Sequence, residues 1–191
     1  MAKIRFDGGT LLAPLPVVMV SCGTLEAPNI ITIAWTGILA SSPPKTYVSV
    51  TRRRYSHGLI SERGEFAVNL VSEALVGNAD YCGRVSGREH DKFVECGLTA
   101  QRGSAIDCPV IAESPLTLEC RVADVVPLGS HDMFIADIVA VLADESVLDG
   151  NGRIDVARAR LTAFAHGRYA VLGDTLGAIG RLGAPAEGAG V

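Results

Sequence analysis

Seven consecutive residues, Thr51-Arg52-Arg53-Arg54-Tyr55-Ser56-His57, form the one concentrated basic feature of the chain. They follow a strand-like run and precede a helix-like one. Arginine offers bidentate hydrogen bonds to phosphate, and the Thr51 and Ser56 hydroxyls can donate as well. A helix start adds free N–H groups carrying partial positive charge. Such a set has the chemistry to hold a phosphate group. From these residues alone, an exposed basic turn is an equal alternative.

Other positions carry weaker signals. The stretch Ser86-Gly87-Arg88-Glu89-His90-Asp91-Lys92-Phe93 is polar and ends on an apolar anchor. By itself it reads as a solvated loop with a capped helix. Asn69 sits between Val68 and Leu70 in an apolar strand, so its amide must brace backbone or meet a ligand. Trp35, the only tryptophan, ends a strand and reads first as core.

The common catalytic and metal patterns are missing. No glycine fingerprint of a dinucleotide site, P-loop, HExxH or nucleophile elbow occurs in the sequence. His57, His90, His131 and His166 are widely separated, and no CxxC pair exists, so no metal site is expected. Cys22, Cys82, Cys96, Cys108 and Cys120 are odd in number and widely spaced, and are expected to be small buried hydrophobes instead of a disulfide framework.

The elements that must position these residues are mainly short strands. Runs at 17–22, 29–36, 46–51 and 66–71 are apolar or β-branched, and 134–142 is apolar on both faces, which predicts a central strand. In 116–122, Leu116, Leu118, Cys120 and Val122 alternate with Thr117, Glu119 and Arg121, which predicts a strand buried on one face. Helices are predicted at 56–64 with Ser56 as cap, at 73–84 with Ser72 as cap, and at 90–96 ending on Cys96-Gly97. Many short strands with few helices predict a mainly β fold, a barrel or sandwich with peripheral helices.

The length of 191 residues suits one domain, taken as 1–173, followed by a Gly/Ala-rich tail at 174–191. The net charge of −4 gives no footprint for nucleic acid. No apolar run is long enough to span a membrane, and the N-terminus lacks the apolar core of a secretory signal, so the expected compartment is the cytoplasm.

Six motifs occur in a fixed order: Asn29-x-x-Thr32-x-Ala34-Trp35; Ser41-Ser42-Pro43-Pro44; Tyr47 to Thr51 with Arg53-x-x-Ser56; Gly64-x-Phe66-x-Val68-Asn69; Ser86-Gly87 with Asp91-Lys92-Phe93; and His131-x-x-Phe134-Ile135. Each alone is unspecific. The ordered set resembles the flavin reductase-like family, and within it the flavoredoxin-type proteins of the FMN-binding split-barrel fold.

The resemblance implies a Greek-key split β-barrel that dimerises, with flavin at the subunit boundary. It implies FMN, with FAD as the alternative, and hydride transfer from NADH or NADPH to the flavin. The alternatives are an electron carrier reduced by a protein partner and a flavin-binding protein without turnover. A partner monooxygenase or electron-transfer protein would then take the electrons. By the same resemblance, Asn29, Thr32, Ala34, Trp35 and Thr36 belong to the strand and turn along the isoalloxazine. Thr51, Arg53 and Ser56 would hold the phosphate, joined by Arg52 and His57. Lys92, Asn69 and Tyr169 complete the expected cofactor set. No catalytic residue is assigned beyond His131 as a candidate for handling a proton. Two positions depart from the family pattern. Ala34 replaces a common serine, and Ala136-Asp137 stands where Gly-Glu is usual, which is expected to alter a buried pairing.

Overall fold

The computed structural model describes residues 2–182, so residues 183–191 of the predicted tail lie outside the described residues. In chain order the strands and α-helices are β1 (Leu15–Pro16), β2 (Val18–Gly23), β3 (Pro28–Ile33), β4 (Thr36–Ser41), β5 (Pro44–Thr51), α1 (Tyr55–Arg63), β6 (Glu65–Leu70), α2 (Val76–Arg84), α3 (Lys92–Cys96), β7 (Ala100–Arg102), β8 (Pro109–Ile111), β9 (Leu116–Pro127), β10 (His131–Ala143), β11 (Thr162–Ala165) and β12 (Arg168–Val171).

Seven strands form one antiparallel sheet in the order β3-β2-β6-β9-β10-β5-β4. Its two edge strands, β3 and β4, are separated in the chain by only Ala34 and Trp35. The sheet must therefore curl until its ends meet at that corner, and Ser49 N donates to Trp35 O at 2.9 Å to fasten it. The predicted strand at 29–36 is in fact β3, this corner and the start of β4. Strand β5 lies beside β10, while β6, β9 and β10 follow one another across the sheet, which is a Greek-key order. The fold is thus the mainly β barrel with peripheral helices that the resemblance implies.

Strand β2 is buried along its whole length because both its faces are covered. Val18, Val20 and Cys22 point into the barrel with Phe66 and Phe134. Val17 and Met19 point the other way, under Leu75, Ala79 and Phe93, where α2 and α3 pack. The small lobe β7–β8 covers a further patch of the sheet through Ile106, Cys108 and Val110.

That lobe overturns the prediction for β9. Thr117 and Glu119 were expected to face solvent, but both are buried. Glu119 accepts from Ser104 N and Ala105 N, each at 2.6 Å, and from Ser104 Oγ at 3.1 Å. A buried carboxylate with three donors is satisfied where it stands. Strand β10 is central as predicted, between β9 and β5, yet Val139 and Val141 on it are exposed.

The helix boundaries shift slightly. Arg54, not Ser56, occupies the cap of α1, and no side chain caps it. The predicted helix at 73–84 begins as a 3-10 turn over Glu73–Leu75 before α2, without a Ser72 side-chain cap. Helix α3 is capped by Asp91, whose carboxylate accepts from Val94 N at 3.1 Å, and it ends as expected at Gly97 with φ 63°. Strands β11 and β12 form a hairpin over His166 and Gly167, both with positive φ, the geometry a two-residue turn requires. No helix among the described residues is long and apolar enough to cross a membrane.

Candidate functional site

The barrel corner opens into a cleft of about 460 Å³. Its floor is the end of β3 with the corner (Thr32, Ala34, Trp35) and the end of β5 (Ser49, Thr51). Asp80, Gly83 and Arg84 of α2 form one wall, and His131 at the start of β10 lines the cleft beside its strand partner Thr51. Phe164 and Tyr169 of the β11–β12 hairpin close the far side. The ring of Phe164 is 6.5 Å from that of Trp35 and 6.3 Å from that of Tyr169, so three aromatic rings line one side. Trp35 is 41% exposed, which removes it from the core and gives the cleft a large apolar face.

A second cavity of about 410 Å³ shares Ile31, Arg53 and Arg54 with the first. It is lined by Tyr55 and Ser56 of α1, by the loop from Val85 to Glu89, and by Lys92. Arg53, Arg54, Arg84, Arg88 and Lys92 surround the joined cavities, against Asp80 and Glu89. The field here is positive although the chain as a whole is acidic.

The shared region suits a phosphate. Thr51 Oγ1 is buried and has no hydrogen-bond partner among the described residues. An unsatisfied buried hydroxyl costs free energy that an incoming acceptor can recover. The first turn of α1 has no side-chain cap and no acidic residue, so its amino end is free to receive an anion. Ser56 is held by Asn29, whose Nδ2 donates to Ser56 Oγ at 2.7 Å. Lys92 Nζ donates to Ile30 O at 2.7 Å and Cys82 O at 2.8 Å. An ammonium has three donors, so one remains for a ligand. Burial lowers the Lys92 pKa, the nearby cysteines act in the other direction, and Arg54 adds to the lowering.

The structure sorts the expected site residues. Thr32, Ala34, Trp35, Thr51, Arg53, His131 and Tyr169 line the first cavity, and Arg53, Ser56 and Lys92 line the second. Five others do not line either. Asn29 is buried and holds Ser56 by its amide. Thr36 is buried and donates to Tyr47 O at 2.5 Å, so it pins β4 to β5. Asn69 is fully buried: it donates to Met19 O and Ser21 Oγ and accepts from Ile111 N and Thr117 Oγ1, which makes it a core brace. Arg52 turns to Asp132, with Nη2 at 2.9 Å from Oδ1, and His57 Nε2 is 2.8 Å from Oδ2 of the same carboxylate. Both are thereby committed outside the cleft. The expected buried pairing at position 137 is a half-exposed ion pair between Asp137 and Lys45.

Several lining residues escaped the sequence reading. Asp80, Gly83 and Arg84 recur at helical spacing on α2, a signal present in the sequence but common to any amphipathic helix. Asp80 holds Arg84 at 3.0 Å and accepts from Tyr169 Oη at 3.4 Å. Burial, then Asp80, raises the Tyr169 pKa. Phe164 carries no local signal, and Arg54 directly follows Arg53 in the basic run.

Comparison with known proteins agrees with this geometry. The chain is similar to the flavoredoxin of Desulfovibrio vulgaris (Miyazaki F), with 33% identity, a TM-score of 0.89, and coverage of 96% of this chain and 100% of that one. It is similar to an FMN-binding protein from Thermus thermophilus at 25% identity and a TM-score of 0.79, covering 93% of this chain and 99% of that one. An NADPH-flavin oxidoreductase of Streptomyces viridifaciens is 30% identical over 150 residues, covering 76% of this chain and 71% of that protein. The model of the flavin reductase like domain matches residues 11–173, and the chain belongs to that family as a split-barrel flavoprotein of the flavoredoxin type.

Proposed function

We propose that the joined cavities bind FMN and that the chain is an NAD(P)H-dependent flavin oxidoreductase. The observation that carries this reading is the buried, unpartnered hydroxyl of Thr51, a residue that lines the aromatic-walled cleft together with Arg53 and Arg54 and stands four residues before the uncapped helix α1. Thr51, Arg53, Arg54 and Ser56 would hold the phosphate, with Lys92 reaching it from the loop side. The strand end at Thr32 and Ala34, with Trp35, would lie along the isoalloxazine. A site centred on one phosphate favours FMN over FAD.

When bound, the flavin supplies the redox chemistry, taking a hydride from NADH or NADPH. The protein's part is to bind and orient. Its backbone corner fixes the cleft floor, its aromatic side chains exclude water from one face, and its cations offset the phosphate charge. His131 Nδ1 lies 2.9 Å from Ser130 Oγ, which fixes the ring in the cleft wall as the candidate to hold a proton. The exposed Ile38 and Leu39 on β4 support a homodimer closing over this corner. A partner monooxygenase or electron-transfer protein would accept the electrons. The five free thiols fit the reducing cytoplasm.

The likeness to flavoredoxin supports a second reading, an electron carrier reduced by a protein. Anaerobic mixing with NADH, and separately with NADPH, decides between them. Rapid bleaching of bound flavin supports the oxidoreductase. Bleaching only by a reduced protein donor supports the carrier. A chain that binds no added FMN sinks both.

A further inference from the structure

Cys82 on α2 and Cys96 on α3 are the one pair of thiols in contact among the described residues, with sulfurs 3.7 Å apart. Cys82 is fully buried, whereas Cys96 is partly open to solvent. The helices are already clasped beside them, since Asn78 Nδ2 donates to Cys96 O at 2.8 Å. Cys96 is one helical turn from Lys92. The Cys82 carbonyl is one of the two anchors of the Lys92 ammonium, and the next two residues, Gly83 and Arg84, line the first cavity. The thiol pair therefore stands directly behind the wall of the cofactor site.

We propose that Cys82 and Cys96 form a redox-active dithiol, closed to a disulfide by hydrogen peroxide, and that closure weakens the cofactor site. The effect on the cofactor rests on the FMN reading above; the disulfide does not. In the first step Cys96 sulfur, the accessible one, attacks peroxide. A sulfur–oxygen bond forms, the O–O bond breaks, and one water leaves with the thiol proton. In the second step Cys82 sulfur attacks the Cys96 sulfenic acid. The S–S bond forms, the S–O bond breaks, and the second water carries off the Cys82 proton. Two thiols lose two electrons, which reduce the two peroxide oxygens. Burial pushes the Cys82 thiol up to about 12, so it suits the resolving role better than the first attack. A disulfide is about 2.05 Å long, so the sulfurs must close by a further ~1.7 Å. The bond would tie α2 to α3 at Cys82, whose carbonyl anchors Lys92 and which immediately precedes the lining residues Gly83 and Arg84. In a reducing compartment the bond would be transient, as suits a sensor.

The test is peroxide treatment of the purified protein, followed by peptide mapping under non-reducing conditions and by FMN fluorescence titration. The expected result is a Cys82–Cys96 linked peptide with loss of two hydrogens. The FMN dissociation constant should rise about fivefold, the low end of ordinary coupling between sites. Dithiothreitol should reverse both changes, and Cys96→Ser should prevent both. Peroxide that takes Cys96 to a sulfinic acid, with no linked peptide, overturns the proposal. A linked peptide with unchanged FMN affinity overturns the coupling. The map is read without flavin, so failure of the FMN reading shows separately, as reduced protein that binds no FMN.

Discussion

Asn29 Nδ2 donates to Ser56 Oγ across 2.7 Å, and both side chains are almost completely buried. The bond joins β3 to the first turn of α1, and so connects the strand under the cleft to the turn proposed to hold the phosphate. The adjacent Cys22 thiol, 3.6 Å from the same amide nitrogen, is pushed up to about 11 by burial, which keeps it neutral there. If Ser56 holds the phosphate as proposed, Asn29 would act on the ligand through it. Asn29→Ala should weaken FMN binding by about 1.4 kcal/mol, roughly tenfold in the dissociation constant, though Asn29 does not line either cavity. Folding stability should fall by about 1–3 kcal/mol as a buried hydroxyl loses its donor. Fluorescence titration and denaturant unfolding read the two effects.

Thr51→Val makes a sharper test because its two effects have opposite signs. In the free protein the Thr51 hydroxyl is buried without a partner, so an isosteric methyl should leave stability unchanged or raise it by about 1 kcal/mol. FMN affinity should drop by about 1.5–3 kcal/mol, the ordinary worth of one hydrogen bond to a charged acceptor. A variant that loses stability and keeps its affinity would move the phosphate elsewhere.

How far these residues were legible depends on how locally their geometry is set. Thr51, Arg53 and Ser56 are neighbours at a strand-to-helix junction, so their chemistry could be read from seven residues. Arg52 could not be separated from Arg53 in that way. Its partner, Asp132, lies 80 residues on and reaches it only because β10 pairs with β5, with Asp132 opposite Val50. Asn69 was readable as an amide needing partners but not as a brace, since Ile111 and Thr117 reach it through long-range strand placement. The buried polar face of β9 was missed for the same reason: alternation shows two faces, not what covers them. The family motifs gave the order of the barrel, while the aromatic wall at Phe164 emerged only with the hairpin folded against the corner.

The two neighbouring arginines should therefore behave differently. Arg53→Ala removes a residue lining both cavities and should weaken FMN binding several-fold, most clearly at low salt. Arg52→Ala removes an exposed partner of Asp132 and should leave FMN affinity within error of the parent. Titrating both variants at two ionic strengths checks this; equal losses would show that Arg52 also reaches the ligand.

Asp132 gives a pH signature. Hydrogen bonds from Arg52, then from His57, hold its carboxyl below the usual carboxylate range. A carboxyl whose pKa is lower in the folded state contributes stability above its unfolded value of about 3.9. That contribution is lost as pH falls from there through the folded value. Asp132→Asn should thus lower the melting temperature at neutral pH, and the gap to the parent should narrow steadily in acid below about pH 4. A gap that stays constant on acidification would mean that the carboxylate is not stabilised by these partners.

Gly87 tests whether the loop and the brace are one unit. A Cβ at this position would lie 1.9 Å from Asn29 Oδ1 and 2.8 Å from Asn29 Cγ, with Tyr55 Cδ1 at 3.1 Å. The first two distances are far inside contact, and Asn29 is buried and tethered to Ser56, so it has little room to yield. Gly87→Ala should push the Ser86–Gly87 loop away from the second cavity and weaken FMN binding by about tenfold. In an Asn29→Ala background the two clashing atoms are gone, and of the three nearest atoms Tyr55 Cδ1 remains, at 3.1 Å. There the same change should cost markedly less than in the parent, giving a coupling of about 0.5–3 kcal/mol in a double-mutant cycle. Additive losses would mean that the alanine acts through the backbone of the loop alone, and that Asn29 and Gly87 do not share one tight contact.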